Sequence, residues 1–281
     1  MSETTLRDTT ATLDTAAARK EGPAGVPAWL RWNAWVPTVV TFLVAAVLWQ
    51  LTAIANPYVV PTLDAIAATL IEDADMYWSN FLVTLLEVVV GASAGILAGF
   101  ALAVVMAEFQ LIERAIMPLV IVVMVTPIVA IAPALVVAFG FGMIPKFIVT
   151  GLVVFFPMLV NSLAGLRDVD QKALDVFKTL HASRWEIFRE LRFPGSMPYV
   201  FAGLRIALPL AVVGAAVAEF VAAGQQAGLG SLVTTSAAQA NLPVTWGAIT
   251  LLCVLGVLLI VLLALVRKRV LWWSEGDVTA R

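Results

Sequence analysis

Gly91-Ala92-Ser93-Ala94-Gly95 has the G-x-S-x-G spacing of a hydrolase nucleophile elbow, in which a sharp strand-to-helix turn exposes the serine. That serine would need a base, and the single histidine, His181, lies far along the chain in a polar stretch. Gly91, Gly95 and Gly99 also recur at four-residue steps inside a long apolar run, which makes a smooth helix face, and helix packing explains the motif better. One cysteine, Cys253, and one histidine leave no intrachain disulfide and no cluster for a soft metal. No Walker A sequence occurs, so this chain holds no nucleotide by that motif. What remains are Glu87, Arg205 and Glu219, ionisable residues set within apolar stretches, where charge is costly and therefore a functional suspect.

The elements that must position these residues are membrane helices. Of the 281 residues, 61% are hydrophobic and 13% charged, and mean hydropathy is +0.97. A soluble domain carries roughly 25% charged residues, so too little polar surface is present to cover a water-soluble globule. A net charge of −2 argues against nucleic acid, which would call for a basic face. Residues 1–30 lack an apolar core and are expected to form a retained, disordered tail, with a second short tail at 271–281. Between them, 31–270 is read as one all-α membrane domain of about six transmembrane helices. The spans are expected at 36–55, 80–107, 115–139, 147–165, 199–220 and 244–266.

Arginine and lysine set the orientation. Arg7, Arg19, Lys20 and Arg31 precede the first span, Arg267, Lys268 and Arg269 follow the last, and six basic residues lie between the fourth and fifth. The connection between the first two spans is purely acidic, with Asp64, Glu72, Asp73 and Asp75. Basic residues stay inside, so both termini and the fourth loop are expected to be cytoplasmic, which only an even number of spans satisfies. Tryptophans at 29, 32, 35, 78, 246, 272 and 273 fall near expected span ends, as interfacial anchors should.

The long connection, 166–198, is patterned. Asp170 can cap a helix whose Leu174, Phe177 and Leu180 share a face. After a break at His181-Ala182, Ser183 and Glu186 form an S-x-x-E capping box. The second helix then carries Trp185, Phe188 and Leu191 three apart, and Pro194 is expected to end it. On pattern alone, the two helices either pack under the bundle or present aromatic side chains to a partner.

Within the spans, Arg205 lies about 9 Å beyond Tyr199, close enough to snorkel to the cytoplasmic interface. Glu219 follows Gly203, Ala207, Ala211 and Ala215 at four-residue steps, a face that lines either a subunit contact or a translocation path. Glu87 either pairs within the bundle or faces the solute. Pro118, Pro127 and Pro133 are expected to interrupt the third span, Pro157 the fourth and Pro209 the fifth. Carbonyls freed by proline are tolerated beside protein or a cavity, so the breaks mark either a path or kinks without a transport role. Glu87, Pro127, Pro133 and Glu219 are the candidates to line such a path.

The stretch GLRDVDQKALDVFKTLHASRWEIFRELRFPGSMPYVFAGLRIA, beginning at Gly165, resembles the EAA loop of ABC-importer permeases and the start of the helix after it. More loosely, 36–270 is similar to the nitrate, sulfonate and taurine permeases. TLLEVVVG, FGFGMIPKF, RELRFP and AQANLPVTWGA look closer to permeases for the pyrimidine precursors of thiamine or for riboflavin. The resemblance implies a type I importer permease fold, assembled as a dimer on two ATPase subunits and served by an extracytoplasmic binding protein. ATP and Mg would be bound by the partner ATPase, with no cofactor on this chain. It further implies that Asp175, Val176, Phe177, Leu180, His181, Ala182, Ser183, Trp185, Phe188 and Pro194 couple the loop to the ATPase. Asp175-Val176-Phe177 stands where the family has Glu-Ala-Ala, and His181 where it has glycine. Histidine is among the few other residues enriched at positive φ, so the turn is expected to persist with some strain. A stand-alone secondary transporter is the rival reading. It would call for internal repeats and paired mid-membrane charges, and would leave the aromatic loop without a role.

Overall fold

The computed structural model describes residues 32–221 and 227–272, with side chains from Val36 onward. The tail expected over 1–30, and that at 271–281 beyond Trp272, lie outside the described residues. The chain forms two compact units, divided between Val60 and Pro61. The first contains α1 (Trp32–Ala55), whose apolar composition and length suit a membrane span.

The second unit is built on α3 (Ala74–Glu108), α6 (Met143–Arg167) and α9 (Phe193–Val221), with α6 packed along both of the others. Val88 and Ala92 of α3, Val154 and Met158 of α6, and Ala207, Ala211, Val212 and Ala215 of α9 form the core. Leu255 of α11 (Leu242–Val270) closes it. Lipid tails offer no hydrophobic drive for helix association, so close backbone approach must supply the packing. Gly91, Gly95 and Gly99 do this. A methyl group on Gly95 would overlap the Gly151 carbonyl, and one on Gly99 would lie 2.6 Å from that of Phe155. Gly95→Ala is therefore expected to lower stability by about 1–3 kcal/mol through overpacking, read as an earlier thermal transition in detergent. Ser93 sits mid-helix on the exposed side of α3, as the packing reading of the G-x-S-x-G motif requires.

Five helices of the described residues are long and apolar enough to cross a membrane, or six if one bent pair is counted as a single span. That pair corrects the single third span expected at 115–139. α4 (Gln110–Val125) and α5 (Ile128–Phe139) meet at 97° across Thr126-Pro127. Pro127 has no N–H to continue the ladder and holds Thr126 extended (φ −73°, ψ 125°), so the helix stops there. Pro118, Pro133, Pro157 and Pro209 instead remain inside α4, α5, α6 and α9. Two short helices flank the spans, α2 (Leu63–Glu72) and α10 (Leu229–Ala238), where loops were expected.

Candidate functional site

The connection at 166–198 folds as its caps dictate. Asp170 accepts the Lys172 N–H at 2.9 Å and starts α7 (Gln171–Thr179). At the far end, the His181 N–H reaches the Lys178 carbonyl and the Ala182 N–H that of Phe177, each at 3.0 Å. This is the paired closure of a Schellman motif, which needs a left-handed residue after the cap. His181 fills that place with φ 55°. Left-handed backbone costs an L-residue roughly 1–2 kcal/mol, so His181→Gly is expected to relieve strain and keep or improve loop function. His181→Val, β-branched, should weaken it. Hydrogen exchange across 177–183 reports both changes.

Ser183 and Glu186 close a reciprocal capping box. The Ser183 N–H donates to Glu186 Oε2 at 2.6 Å and the Glu186 N–H to Ser183 Oγ at 3.2 Å. α8 (Arg184–Ile187) is a single turn, and Phe188–Arg192 continues it as a π-helical segment straight into α9. Pro194 therefore does not end the second loop helix. The helix runs on through it, unbroken from Arg184 to Val221.

Val176 (58% exposed), Leu180 (73%) and Trp185 (65%) face outward and give the loop an apolar tip. Phe177 is half-buried, while Asp175 is exposed and pairs with Lys178 at 3.1 Å. Trp185 stacks on Phe188 with centroids 5.6 Å apart; Phe188 leads to Phe193 and Phe193 to Phe100 of α3, each at 6.1 Å. Phe188 also packs on the core of Met106, Leu159, Leu163 and Leu166. An aromatic chain thus runs from the loop tip into the bundle.

Two ion pairs at this end of the bundle were not anticipated. The Arg167 guanidinium grips the Glu113 carboxylate with both Nη groups, and Arg192 Nη1 lies 2.6 Å from Glu108 Oε1. Tyr199 donates a hydrogen bond to Asp168. Each pair joins residues far apart in sequence, and no local pattern signals it.

At the opposite end, Lys146 Nζ lies 2.8 Å from Glu87 Oε1, with exposures of 1% and 0%. Glu219, also buried, accepts from Thr84 Oγ1 at 2.7 Å and from the Ser231 N–H at 3.0 Å. Thr84 Oγ1 in turn accepts the Leu229 N–H at 2.8 Å. Glu219 and Thr84 therefore satisfy two of the free N–H groups at the start of α10, those of Ser231 and Leu229, an arrangement that suits a negative group. Glu87 and Glu219 sit inside this network, whereas Pro127 and Pro133 are exposed on the bent pair. The structure does not bring the four together. Arg205 is exposed on α9.

The described site offers side chains for docking and for bracing helices, and it sets His181 and Ser93 on separate elements. Comparison with known proteins agrees with this. At 33% identity over 220 residues, the chain is similar to the formylaminopyrimidine transport permease protein ThiX of Halalkalibacterium halodurans, covering 77% of this chain and 87% of the relative. It is 27% identical to the riboflavin transport system permease protein RibX of Chloroflexus aurantiacus, covering 84% and 90%. It is 26% identical to the taurine transport system permease protein TauC of Escherichia coli, covering 72% of each. Residues 91–272 match the family described as the binding-protein-dependent transport system inner membrane component, and the chain belongs to that family of multi-pass ABC-importer permeases.

Proposed function

We propose that this chain forms the translocation path of an ATP-driven importer as one of two identical membrane subunits. Both termini and the 166–198 loop face the cytoplasm, where basic residues concentrate. Two ATPase subunits, which bind ATP and Mg, receive the loop tips. The observation that carries this reading is the exposed apolar tip of Val176, Leu180 and Trp185 on a loop whose helices are capped at Asp170 and Ser183. Exposed apolar groups on a rigid scaffold mark a docking surface rather than a solvated one.

The solute is a small heteroaromatic molecule of the pyrimidine-precursor or riboflavin kind, delivered by an extracytoplasmic binding protein. The likeness to ThiX (33% identical) and to RibX (27%, over 84% of this chain) supports this choice over taurine, whose permease TauC is 26% identical over 72%. Gentle purification of the chain from its own membranes, followed by mass spectrometry, tests the assembly. A P-loop ATPase and a binding protein should accompany it, and the binding protein's affinity for formylaminopyrimidine and riboflavin reads the solute. A chain that purifies alone, under conditions that preserve other such complexes, would indicate a stand-alone transporter.

A further inference from the structure

We propose that Arg167 and Arg192, one at each root of the 166–198 loop, are the linkage that carries movement of this loop to the bent pair α4–α5. The proposal rests on the reading of the loop as the ATPase-docking element.

Both arginines grip the same corner of the fold. α3 ends at Glu108, Phe109 turns the chain (φ −121°, ψ 90°), and α4 begins at Gln110 with Glu113 in its first turn. Arg167, the last residue of α6, holds Glu113 by two prongs. Arg192, the last residue of the π-helical segment, holds Glu108 at 2.6 Å. The corner is thus clamped from both ends of the loop. Tyr199 and Asp168 tie the two roots to each other, so the roots move as one body.

Two clefts lie beside the clamps. A cleft of about 290 Å³ lies between the loop and the corner, lined by Gln110, Leu166, Val169 and Leu174 together with both arginines. A second, of about 340 Å³, lies beside Glu108, Arg184 and Ile187. The guanidinium–carboxylate pairs are the polar connections beside these clefts, while Ile112, Ile116 and Val120 of α4 join Leu159, Leu163 and Leu166 of α6 in the apolar core that Phe188 also touches. The two-pronged pair fixes orientation as well as distance, and the contact of Arg192 with Glu108 holds the other side of the corner, so both are needed for the corner to follow the loop.

What the corner drives reaches the far end of the bundle. α4 passes through the 97° bend into α5, and Ala132 of α5 packs on Val149 of α6 and Ala218 of α9. Ala218 adjoins Glu219, and Val149 lies within one turn of Lys146. A tilt of α4 at its clamped end would thus be felt beside the buried ionic network.

The test uses the purified complex with its ATPase in nanodiscs and needs no knowledge of the solute. In a Cys253→Ser background, Val125→Cys at the end of α4 is labelled with a maleimide, without nucleotide and after trapping with ATP and vanadate. The labelling rate should differ between the two states. Glu108→Arg and Arg192→Glu should each bring that ratio close to one while the ATPase stays bound and still hydrolyses ATP. The combined exchange, E108R/R192E, should restore it. A merely structural role would not give this rescue. If Arg192→Glu releases the ATPase, Glu108→Arg, remote from the loop tip, carries the test. An unchanged ratio in the single variants, or no rescue in the exchange, overturns the linkage alone. A wild-type chain with no ATPase partner overturns the reading of the loop as well.

Discussion

Lys146→Met should be the most damaging single substitution in the bundle, lowering stability by about 3–5 kcal/mol, the usual cost of removing one partner of a buried ion pair. Lys146 and Glu87 lie within 2.8 Å and are 1% and 0% exposed, so no water is at hand to take over the ammonium's role. Glu87 already leaves Oε2 without a hydrogen-bond partner, and the Glu219 carboxylate is near enough to act on it. Without the ammonium, two acidic groups would share one buried pocket. The expected result is a chain that accumulates poorly and aggregates on size-exclusion chromatography in mild detergent. Removing both partners should be far less harmful, because an apolar pair of similar volume strands no charge. Lys146→Met/Glu87→Leu should therefore recover most of the wild-type melting temperature. A single variant that melts like the wild type would show that the pair holds no net charge interaction.

The membrane spans were legible because each must bury about 20 residues in hydrocarbon, a demand written into composition. The bend at Thr126-Pro127 was not. Three prolines stand within 118–133, and apolar composition is the same whether a helix continues or folds back. Pro118 and Pro133 are accommodated inside α4 and α5; only at Pro127 does the chain leave the helix. α2 and α10 escaped notice because helices of 10 residues are too short to read as spans. α10 is moreover held by Thr84 and Glu219, whose hydrogen bonds to it no local pattern announces.

The loop was legible for the opposite reason, since its determinants are local. Asp170, His181, Ser183 and Glu186 make hydrogen bonds to groups two or three residues away, and each does what its position requires. The end of the second helix was misplaced because the π-helical segment at 188–192 loosens the backbone just before Pro194, and the helix continues through it. The ionic contacts are invisible to such reasoning. Glu87 meets Lys146 across 59 positions and Glu108 meets Arg192 across 84. Lys146 is the lone charged residue between the expected spans 115–139 and 147–165, a weak sign that it has a carboxylate to meet.

Trp185→Ala should weaken binding of the partner ATPase by about 2–4 kcal/mol, the range of an aromatic hot spot. That corresponds to roughly a 30- to 1,000-fold rise in Kd. The expectation follows from exposure combined with rigidity. Trp185 is 65% exposed, yet its backbone is fixed by the capping box and its ring by stacking on Phe188. Such an anchor gives up little conformational freedom on docking, so most of its contact area is available as affinity. Truncation should leave the fold intact, because Phe188 keeps its own place against the core. The measurement is the Kd between the chain in nanodiscs and the purified ATPase, with Trp78→Ala as the control. Trp78 is 61% exposed but lies on α3, stacked on Phe81 and away from the loop. A large loss for Trp185→Ala with none for Trp78→Ala would place the docking energy at the loop tip. Equal effects would mean that loss of any exposed tryptophan perturbs the preparation, and the docking surface would have to be sought elsewhere.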